Sequence, residues 1–137
     1  KRCCLMSEEF KVEIVNPERS FLLKEDVTEV VVPSFEGEMG ILKDHISLIS
    51  FLKPGIITVY SKPEESKYFV EDGIVEFKEN NLSILTSSIY KISDLDKNKI
   101  NQMIKDAEKD SSEENIDDQK RYLIDQKIEV LKNLSVN

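Results

Sequence analysis

The stretch that decides the fold is Val32-Pro33-Ser34-Phe35-Glu36-Gly37-Glu38-Met39-Gly40-Ile41-Leu42-Lys43-Asp44-His45. A second turn follows it in Leu52-Lys53-Pro54-Gly55-Ile56. The two glycines of the first stretch lie three residues apart and flank a carboxylate. Glycine allows positive φ and lets another surface approach the backbone closely. Loops of this kind on a strand scaffold usually carry interaction function. The pattern therefore predicts a tight, exposed loop that contacts a partner, not a catalytic motif.

The residues around this stretch, up to about Ile92, have the two-residue period of half-buried strands. Near the beginning, Phe10, Val12 and Ile14 alternate with charged residues. Similar segments, rich in β-branched and aromatic residues, occupy 21–23, 27–32, 56–60, 68–70, 74–77 and 82–86. Turn residues separate these segments, and Asp72-Gly73 and Asn80-Asn81 predict tight hairpins. Many short strands at regular spacing are typical of a β-sandwich or barrel, and of these we expect an antiparallel β-sandwich.

After Ile92 the apolar period becomes helical. Ser93, with Asp96 three residues on, predicts an N-cap. Two apolar stripes follow on either side of a polar break, and they comprise Ile100, Met103, Ile104 and Ala107, then Ile116, Leu123, Ile124, Ile128, Leu131 and Leu134. They predict an antiparallel two-helix hairpin. Short helices depend on tertiary packing, so the hairpin must pack on the sandwich, on a partner, or alternate between them.

The composition excludes several classes of function. A formal net charge of -8 over 137 residues argues against binding to nucleic acid and to anionic lipid. Because no apolar run approaches the roughly 20 residues that span a bilayer, direct membrane insertion is not expected, and any membrane association must go through a partner.

The cysteines and the first residues point to a reducing, intracellular compartment. Cys3 and Cys4 are adjacent and have no distant cysteine to pair with, and zinc would need further Cys or His ligands nearby. Met6 followed by Ser-Glu-Glu resembles a natural start. Residues 1–7 are therefore expected to be a disordered extension, too short for a signal peptide.

The sequence shows no recognisable arrangement of catalytic side chains. His45 is the only histidine, and no nucleophile motif or phosphate-binding glycine loop accompanies it. The acidic residues are scattered as on a solvated surface. The sequence therefore predicts no catalytic residues and no metal site. The rival hypotheses are an enzyme built around His45 and a small-ligand-binding sandwich.

The deciding stretch resembles the signature of the epsilon subunit of bacterial F-type ATP synthases, which is called delta in mitochondria. That signature reads roughly G-x-E-G-x-[LM]-G-[IV]-x-P-G-H, followed by Lys-Pro-Gly. The matching residues are Glu36, Gly37, Met39, Gly40, Ile41, His45, Lys53, Pro54 and Gly55. One departure is Lys43-Asp44, which stands where many relatives have Pro-Gly. The resemblance extends from about Phe10 to the C-terminus and is most specific between Glu36 and Gly55.

The resemblance implies a fold and a role. The fold is a ten-stranded sandwich, expected over residues 8–92, followed by a regulatory two-helix domain over 93–137. The role is that of a non-catalytic rotor subunit that locks the gamma stalk to the c-ring, so that rotation reaches the catalytic head. The hairpin is implied to extend conditionally along gamma and the alpha and beta subunits and to inhibit ATP hydrolysis. The missing transit-like segment favours the cytoplasmic face of a bacterial membrane over a mitochondrial inner membrane.

The resemblance also assigns site residues. The implied interface with the c-ring and gamma consists of Glu36, Gly37, Glu38, Met39, Gly40 and His45, with Glu38 as the acid that touches the c-ring. A Gly40→Val change is expected to harm assembly, because it would force the backbone out of a conformation that glycine permits.

A second implied site concerns ATP. Some bacterial relatives bind ATP through a motif like [IL]-D-x-x-R-A at the start of the first C-terminal helix. Leu95 and Asp96 match that motif, whereas Lys99 replaces its arginine and Ile100 its alanine. Lysine lacks the planar fork of arginine, and Arg121 would be a second basic group. The residues predict a helix cap rather than an ATP site and therefore no cofactor, with ATP sensing as the alternative function.

Overall fold

The computed structural model describes residues 8–18, 20–61, 64–113 and 115–136. The expected extension over residues 1–7 lies outside them. The described residues form ten strands: β1 (Phe10–Val15), β2 (Ser20–Val27), β3 (Glu29–Ser34), β4 (Gly37–Leu42), β5 (Leu48–Leu52), β6 (Gly55–Ser61), β7 (Glu64–Val70), β8 (Gly73–Lys78), β9 (Asn81–Leu85) and β10 (Ile89–Lys91). A 3-10 turn, Ile92–Asp94, leads into helices α1 (Lys97–Ser111) and α2 (Asp118–Val136). The predicted order of sandwich and helical pair is confirmed.

The strands form one sheet that folds back on itself as a sandwich. The order is β10-β7-β6-β3-β5-β8-β9-β1-β2, with β4 paired to the other side of β3. The fold lies between β3 and β5, which share only the pair Ser34–Leu52. The prediction of a purely antiparallel sandwich needs one correction, because β1 and β9 pair in parallel. Parallel neighbours need a long connection, and here seven strands separate β1 from β9 in the chain.

The sandwich has its own core, as the alternating pattern predicts. Val12 and Ile14 of β1 are fully buried, and they pack with inward residues of both layers: Val27, Val30, Val32, Ile41, Ile57, Val59, Val70, Val75, Phe77, Leu82 and Ile84. The rings of Phe10 and Phe77 meet edge to face, with centroids 5.6 Å apart. Every buried member of this cluster belongs to the strands, so the sandwich core is complete without the helices.

The glycine-containing stretch forms a strand and not the predicted loop. Residues Gly37–Leu42 pair in register with β3, from Ser34–Gly37 to Glu29–Leu42, and only Phe35 and Glu36 form the turn between them. Glycine weakens a strand interior, so the two glycines of this stretch predicted a loop instead of a strand. They are tolerated here because β4 pairs only with β3 and is half solvent-exposed.

The two predicted hairpin turns have different outcomes. A tight turn does join β8 and β9, one residue earlier than predicted, with φ of 51° at Glu79 and 60° at Asn80. The prediction of a hairpin at Asp72-Gly73 is wrong, because β7 pairs with β6 and β10 while β8 pairs with β5 and β9. The turn at Asp72-Gly73 therefore joins two strands, β7 and β8, that are not neighbours in the sheet.

The helical hairpin packs on the outer face of the layer formed by β6, β7 and β10. A second apolar cluster, separate from the sandwich core, has Phe69, Ile100, Met103 and Leu131 at its centre. Phe69 is completely buried although it points away from the sandwich core, and its ring stacks on Tyr90 at 6.3 Å. The helices are therefore docked on the sandwich.

The N-cap of α1 is Asp96, which confirms the interpretation of Leu95-Asp96 as a helix cap, whereas the prediction of Ser93 as the cap is wrong. The Asp96 side chain accepts a hydrogen bond from the Lys99 amide at 2.7 Å. Residues Ile92–Asp94 instead form the 3-10 turn, and Leu95 is extended with φ -97° and ψ 118°. Helix α1 therefore begins directly after Asp96, which has an extended backbone and a side-chain oxygen that caps the helix.

Candidate subunit interface

The tip of the β3–β4 hairpin is held by one hydroxyl. Ser34 Oγ donates to the Gly37 carbonyl at 2.7 Å and accepts from the Glu36 amide at 3.2 Å. Gly37 has a φ of +118°, which side-chain-bearing residues rarely adopt. This glycine is therefore the one in the stretch whose backbone requires glycine, and the tip presents Phe35 and Glu36 to solvent.

The Lys-Pro-Gly turn packs directly against this hairpin. The Lys53 amide donates to the Pro33 carbonyl at 3.0 Å, and the Phe35 amide donates to the Phe51 carbonyl at 3.3 Å. Pro33 and Gly55 are both buried, and the space for a β-carbon on Gly55 is already filled by the Pro33 ring. The two halves of the deciding stretch therefore form one rigid unit.

The predicted interface residues on β4 divide by exposure. Glu36 and Glu38 are exposed, whereas Met39 is half-buried and packs on the sandwich core. Gly40 is exposed and does not have a positive φ, since positive values among glycines occur at Gly37 and Gly73. The expected backbone effect of Gly40→Val is therefore wrong for this position, and the acids are the groups available to a partner.

His45 lies at the opposite end of β4 from the tip. Six strand residues separate the two ends, a length of roughly 17 Å at the rise of a β-strand. The imidazole is half-buried, with Nδ1 2.8 Å from the Ile46 carbonyl oxygen and the ring edge-to-face on Phe77 at 6.0 Å. The fold therefore does not bring His45 together with Glu36 and Glu38.

The Lys43-Asp44 departure from the family pattern has a local structural role. Asp44 has a φ of 66°, a region that aspartate tolerates better than most residues. Its amide donates to Asn80 Oδ1 at 2.7 Å, and Asn80 Nδ2 donates to its carboxylate at 3.0 Å. This pair of hydrogen bonds joins the β4–β5 turn to the β8–β9 turn and orders the end of the sandwich that carries His45.

An apolar surface that sequence reasoning missed lies on the outer face of β5, β8 and β9 and on the adjoining tip of the β3–β4 hairpin. We call it the outer apolar row; it consists of Phe35, Ile49, Phe51, Ile74 and Leu85. Cross-strand pairs join Phe51 to Ile74 and Ile74 to Leu85, and Phe51 is 62% exposed. A cleft of about 630 Å³ is lined by Phe35, Phe51, Ile74 and Leu85 of the row and, on its other side, by Leu123 of α2. The available signal was β5 itself, where Leu48, Ile49, Phe51 and Leu52 leave apolar side chains on both faces of the strand.

A second cleft, of about 660 Å³, separates the β3–β4 hairpin from α2. Glu38, Lys53 and Gly55 line its sandwich side, while Gln126 and Val130 line the helical side. Glu38 therefore lies on the side of the tip that faces the helical hairpin, whereas Phe35 belongs to the outer apolar row. The tip is thus placed between two different surfaces.

The residues of the implied ATP motif do not form a joint site. Asp96 is engaged as the helix cap, and Leu95 is half-buried against the second cluster. Lys99 is exposed at the start of α1, and Arg121 is exposed in the first turn of α2. The two helices are antiparallel, and α1 has 15 residues, about 22 Å of helix. Lys99 and Arg121 therefore lie at opposite ends of the hairpin. Ile100 is 5% exposed and fills its site in the cluster.

The described residues contain no group of three or more His, Cys, Asp or Glu side chains that could hold a metal ion. Neither described helix is long and apolar enough to cross a membrane.

The sandwich, the docked helical pair and the exposed apolar row define a subunit of a larger assembly, because large exposed apolar surfaces mark interaction sites. Residues 9–92 match the family described as the ATP synthase delta/epsilon chain, beta-sandwich domain. The chain is 70% identical over 130 residues to an ATP synthase epsilon chain of Pelagibacter ubique, covering 95% of this chain and all of that one. It is 38% identical to a mitochondrial ATP synthase delta subunit of Schizosaccharomyces pombe, over 80% of this chain and 68% of that one.

Solved structures show the same fold. A chain of the Euglena gracilis mitochondrial ATP synthase matches with a TM-score of 0.74 at 21% identity, covering 96% of this chain and 82% of that one. A chain of the Tetrahymena thermophila mitochondrial ATP synthase, from its central stalk and c-ring, matches with a TM-score of 0.63 at 12% identity, over 91% and 95%. The chain belongs to the delta/epsilon family of ATP synthase subunits, and it is a non-catalytic, epsilon-type subunit. As such it is a peripheral part of a membrane-bound complex.

Proposed function

We propose that this chain is a rotor subunit of the central stalk, which joins the gamma subunit to the c-ring so that rotation of the ring reaches the catalytic head. The observation that carries the proposal is the pairing of two exposed surfaces on one rigid unit, the outer apolar row and the acidic tip of the β3–β4 hairpin. A coupling subunit needs two such surfaces, because it must hold two partners at once without bending.

The outer apolar row is the surface proposed for gamma. Four of its five side chains, all except Phe35, are carried by paired strands, so they are ordered before a partner arrives. An ordered surface loses little conformational entropy on binding. Phe35 and Phe51 are 52% and 62% exposed. Aromatic side chains of this kind are enriched among the residues that dominate binding energy.

The tip of the hairpin is the surface proposed for the c-ring. Glu36 and Glu38 are exposed there, and Ser34 and the Lys-Pro-Gly turn fix the backbone that carries them. Two carboxylates suit a partner surface that carries basic groups, because opposite charges steer and orient partners. His45 belongs to the opposite end of the sandwich, so the proposed c-ring contact at the tip does not include it.

The helical hairpin is proposed to be the regulatory part. Its docked position covers Phe69, and an extended position along gamma and the alpha and beta subunits would inhibit ATP hydrolysis. A ligand or partner shifts such an equilibrium only through its different affinity for the two positions. The proposed location is the cytoplasmic face of a bacterial cell membrane, reached through the c-ring.

Photo-crosslinking in the assembled complex tests both surfaces. Cys3 and Cys4 are replaced by serine, and single cysteines at Glu38, Phe51 and Leu23 carry a benzophenone maleimide. We expect Glu38→Cys to crosslink to subunit c and Phe51→Cys to gamma, because these positions lie on the two proposed surfaces. Mass spectrometry identifies each product.

Leu23→Cys is the matched control, because Leu23 is 55% exposed on β2 but belongs to neither surface. Equal crosslinking from Leu23 would show that accessibility alone determines the products. If Glu38→Cys and Phe51→Cys both yield no product in an assembled complex, the two surfaces are assigned wrongly.

ATP is expected to bind the isolated chain weakly or not at all. Asp96 is used as a cap and Ile100 fills the space where the motif has alanine, while Lys99 lacks the bidentate geometry of arginine. Calorimetric titration with ATP measures this directly. Saturable micromolar binding, about -8 kcal/mol, would support the ATP-sensing alternative. Lys99→Arg should be compared with the double change that adds Ile100→Ala, because Ile100 is also a packing residue.

A further inference from the structure

The docked hairpin is joined to the sandwich by an ion pair as well as by apolar packing. Two of the described ion pairs, Lys24–Glu64 and Lys67–Glu65, lie within the sandwich. In a third, Lys127 Nζ of α2 contacts Glu71 Oε1 in the turn between β7 and β8. This contact connects the second helix to a turn that belongs to the sandwich.

The surroundings of this pair make it more than an ordinary surface contact. The side chains of Lys127 and Glu71 are 21% and 24% exposed, so each is about three-quarters buried. Fully exposed ion pairs contribute little because water and salt screen them, whereas screening weakens as a pair is buried. Replacing one partner leaves the other charge without compensation. The free energy lost in this way exceeds the free energy that the intact pair contributes.

The position of the pair also matters. Leu131 is a fully buried residue of α2 and lies one helical turn beyond Lys127, so both side chains face the sandwich. The Glu71 amide is bonded to the Ser88 carbonyl at 3.4 Å, which holds the acid close to β10. Lys127 therefore lies on the face of α2 that contacts the sandwich, and Glu71 lies at a fixed point of the sandwich.

We propose that the Glu71–Lys127 pair is an electrostatic latch that holds the helical hairpin against the sandwich. The latch sets the ratio of docked to released hairpin, and the apolar cluster around Phe69 supplies the remaining attraction. The inference concerns the chain by itself and is tested on the isolated subunit, so its failure is distinguishable from a failure of the proposed rotor role, which the crosslinks in the complex decide.

Charge reversal with rescue tests the latch. Hydrogen–deuterium exchange is measured for peptides of α2 and β7 in the isolated chain, at low ionic strength. We expect Lys127→Glu to accelerate exchange in α2 about tenfold, because two carboxylates then face each other in the docked position. Glu71→Lys should do the same, and the double change Glu71→Lys with Lys127→Glu should return exchange to within about twofold of the unchanged protein.

Lys120→Glu is the matched control, because it changes the same charge on the exposed part of the same helix. It should leave exchange in α2 unchanged. Peptides of β1 and β9 report on the sandwich core, so a variant that loses its whole fold is recognised, and Lys127→Gln then supplies a milder change with an expected threefold acceleration. Equal effects of Lys127→Glu and Lys120→Glu, or no recovery in the double variant, would overturn the latch.

Discussion

Replacing Gly55 by valine is expected to lower the free energy of unfolding of the sandwich by about 2–3 kcal/mol, the usual cost of overpacking a filled site. A β-carbon at residue 55 would lie 2.6 Å from Pro33 Cβ and 2.9 Å from Pro33 Cγ. The proline ring cannot rotate away, and β3 is held in place because the Pro33 carbonyl accepts from the Lys53 amide. Urea unfolding followed by circular dichroism measures the loss.

Gly40→Val is the matched control within the same stretch. A β-carbon at residue 40 would meet only Glu29 Oε2, at 3.2 Å, and this oxygen is the movable end of a side chain. Gly40 is also exposed on a strand that pairs with β3 alone, so its effect should stay within about 0.5 kcal/mol. If Gly55→Val unfolds at the same urea concentration as Gly40→Val, the contact with Pro33 does not constrain the fold.

Dividing the chain after Ile92 is expected to leave a folded sandwich and an unfolded hairpin. Residues 8–92 contain the whole sandwich core, so this fragment should unfold in one cooperative transition. Residues 93–137 keep α1 and α2 but lose Phe69, Ile56 and Tyr90, on which their apolar residues pack. Helices of 15 and 19 residues are marginal in water without such packing. Far-ultraviolet circular dichroism of each fragment measures the difference.

The sandwich fragment needs one further control. Removal of the helices exposes Phe69, which is fully buried in the whole chain, and an exposed aromatic face promotes association. The fragment should therefore be compared with its Phe69→Thr variant, which places a polar, β-branched residue that favours strands at this position. A strongly helical 93–137 fragment, or an 8–92 fragment without a cooperative transition even as Phe69→Thr, would contradict the division into two folding units.

The sequence by itself determined the elements that depend on local patterns. The alternation of Val12 and Ile14 with charged neighbours predicted β1, and the positions of Ile100, Met103 and Ala107 predicted the buried side of α1. These predictions succeeded because a two-residue or 3.6-residue period places apolar side chains on one face whatever lies opposite. The glycine and acid pattern also led to the correct family, since a family motif is recognised from the order of its residues and not from the structure that they form.

Tertiary structure decided whatever depends on contacts distant in the chain. Gly37–Leu42 became a strand because it pairs in register with β3. The outer apolar row and the separation of Glu38 from His45 follow from strand order, which local periods do not encode. The Glu71–Lys127 pair joins residues 56 positions apart. A contact of this kind forms only when separate elements meet, so no local pattern of residues could have predicted the Glu71–Lys127 pair.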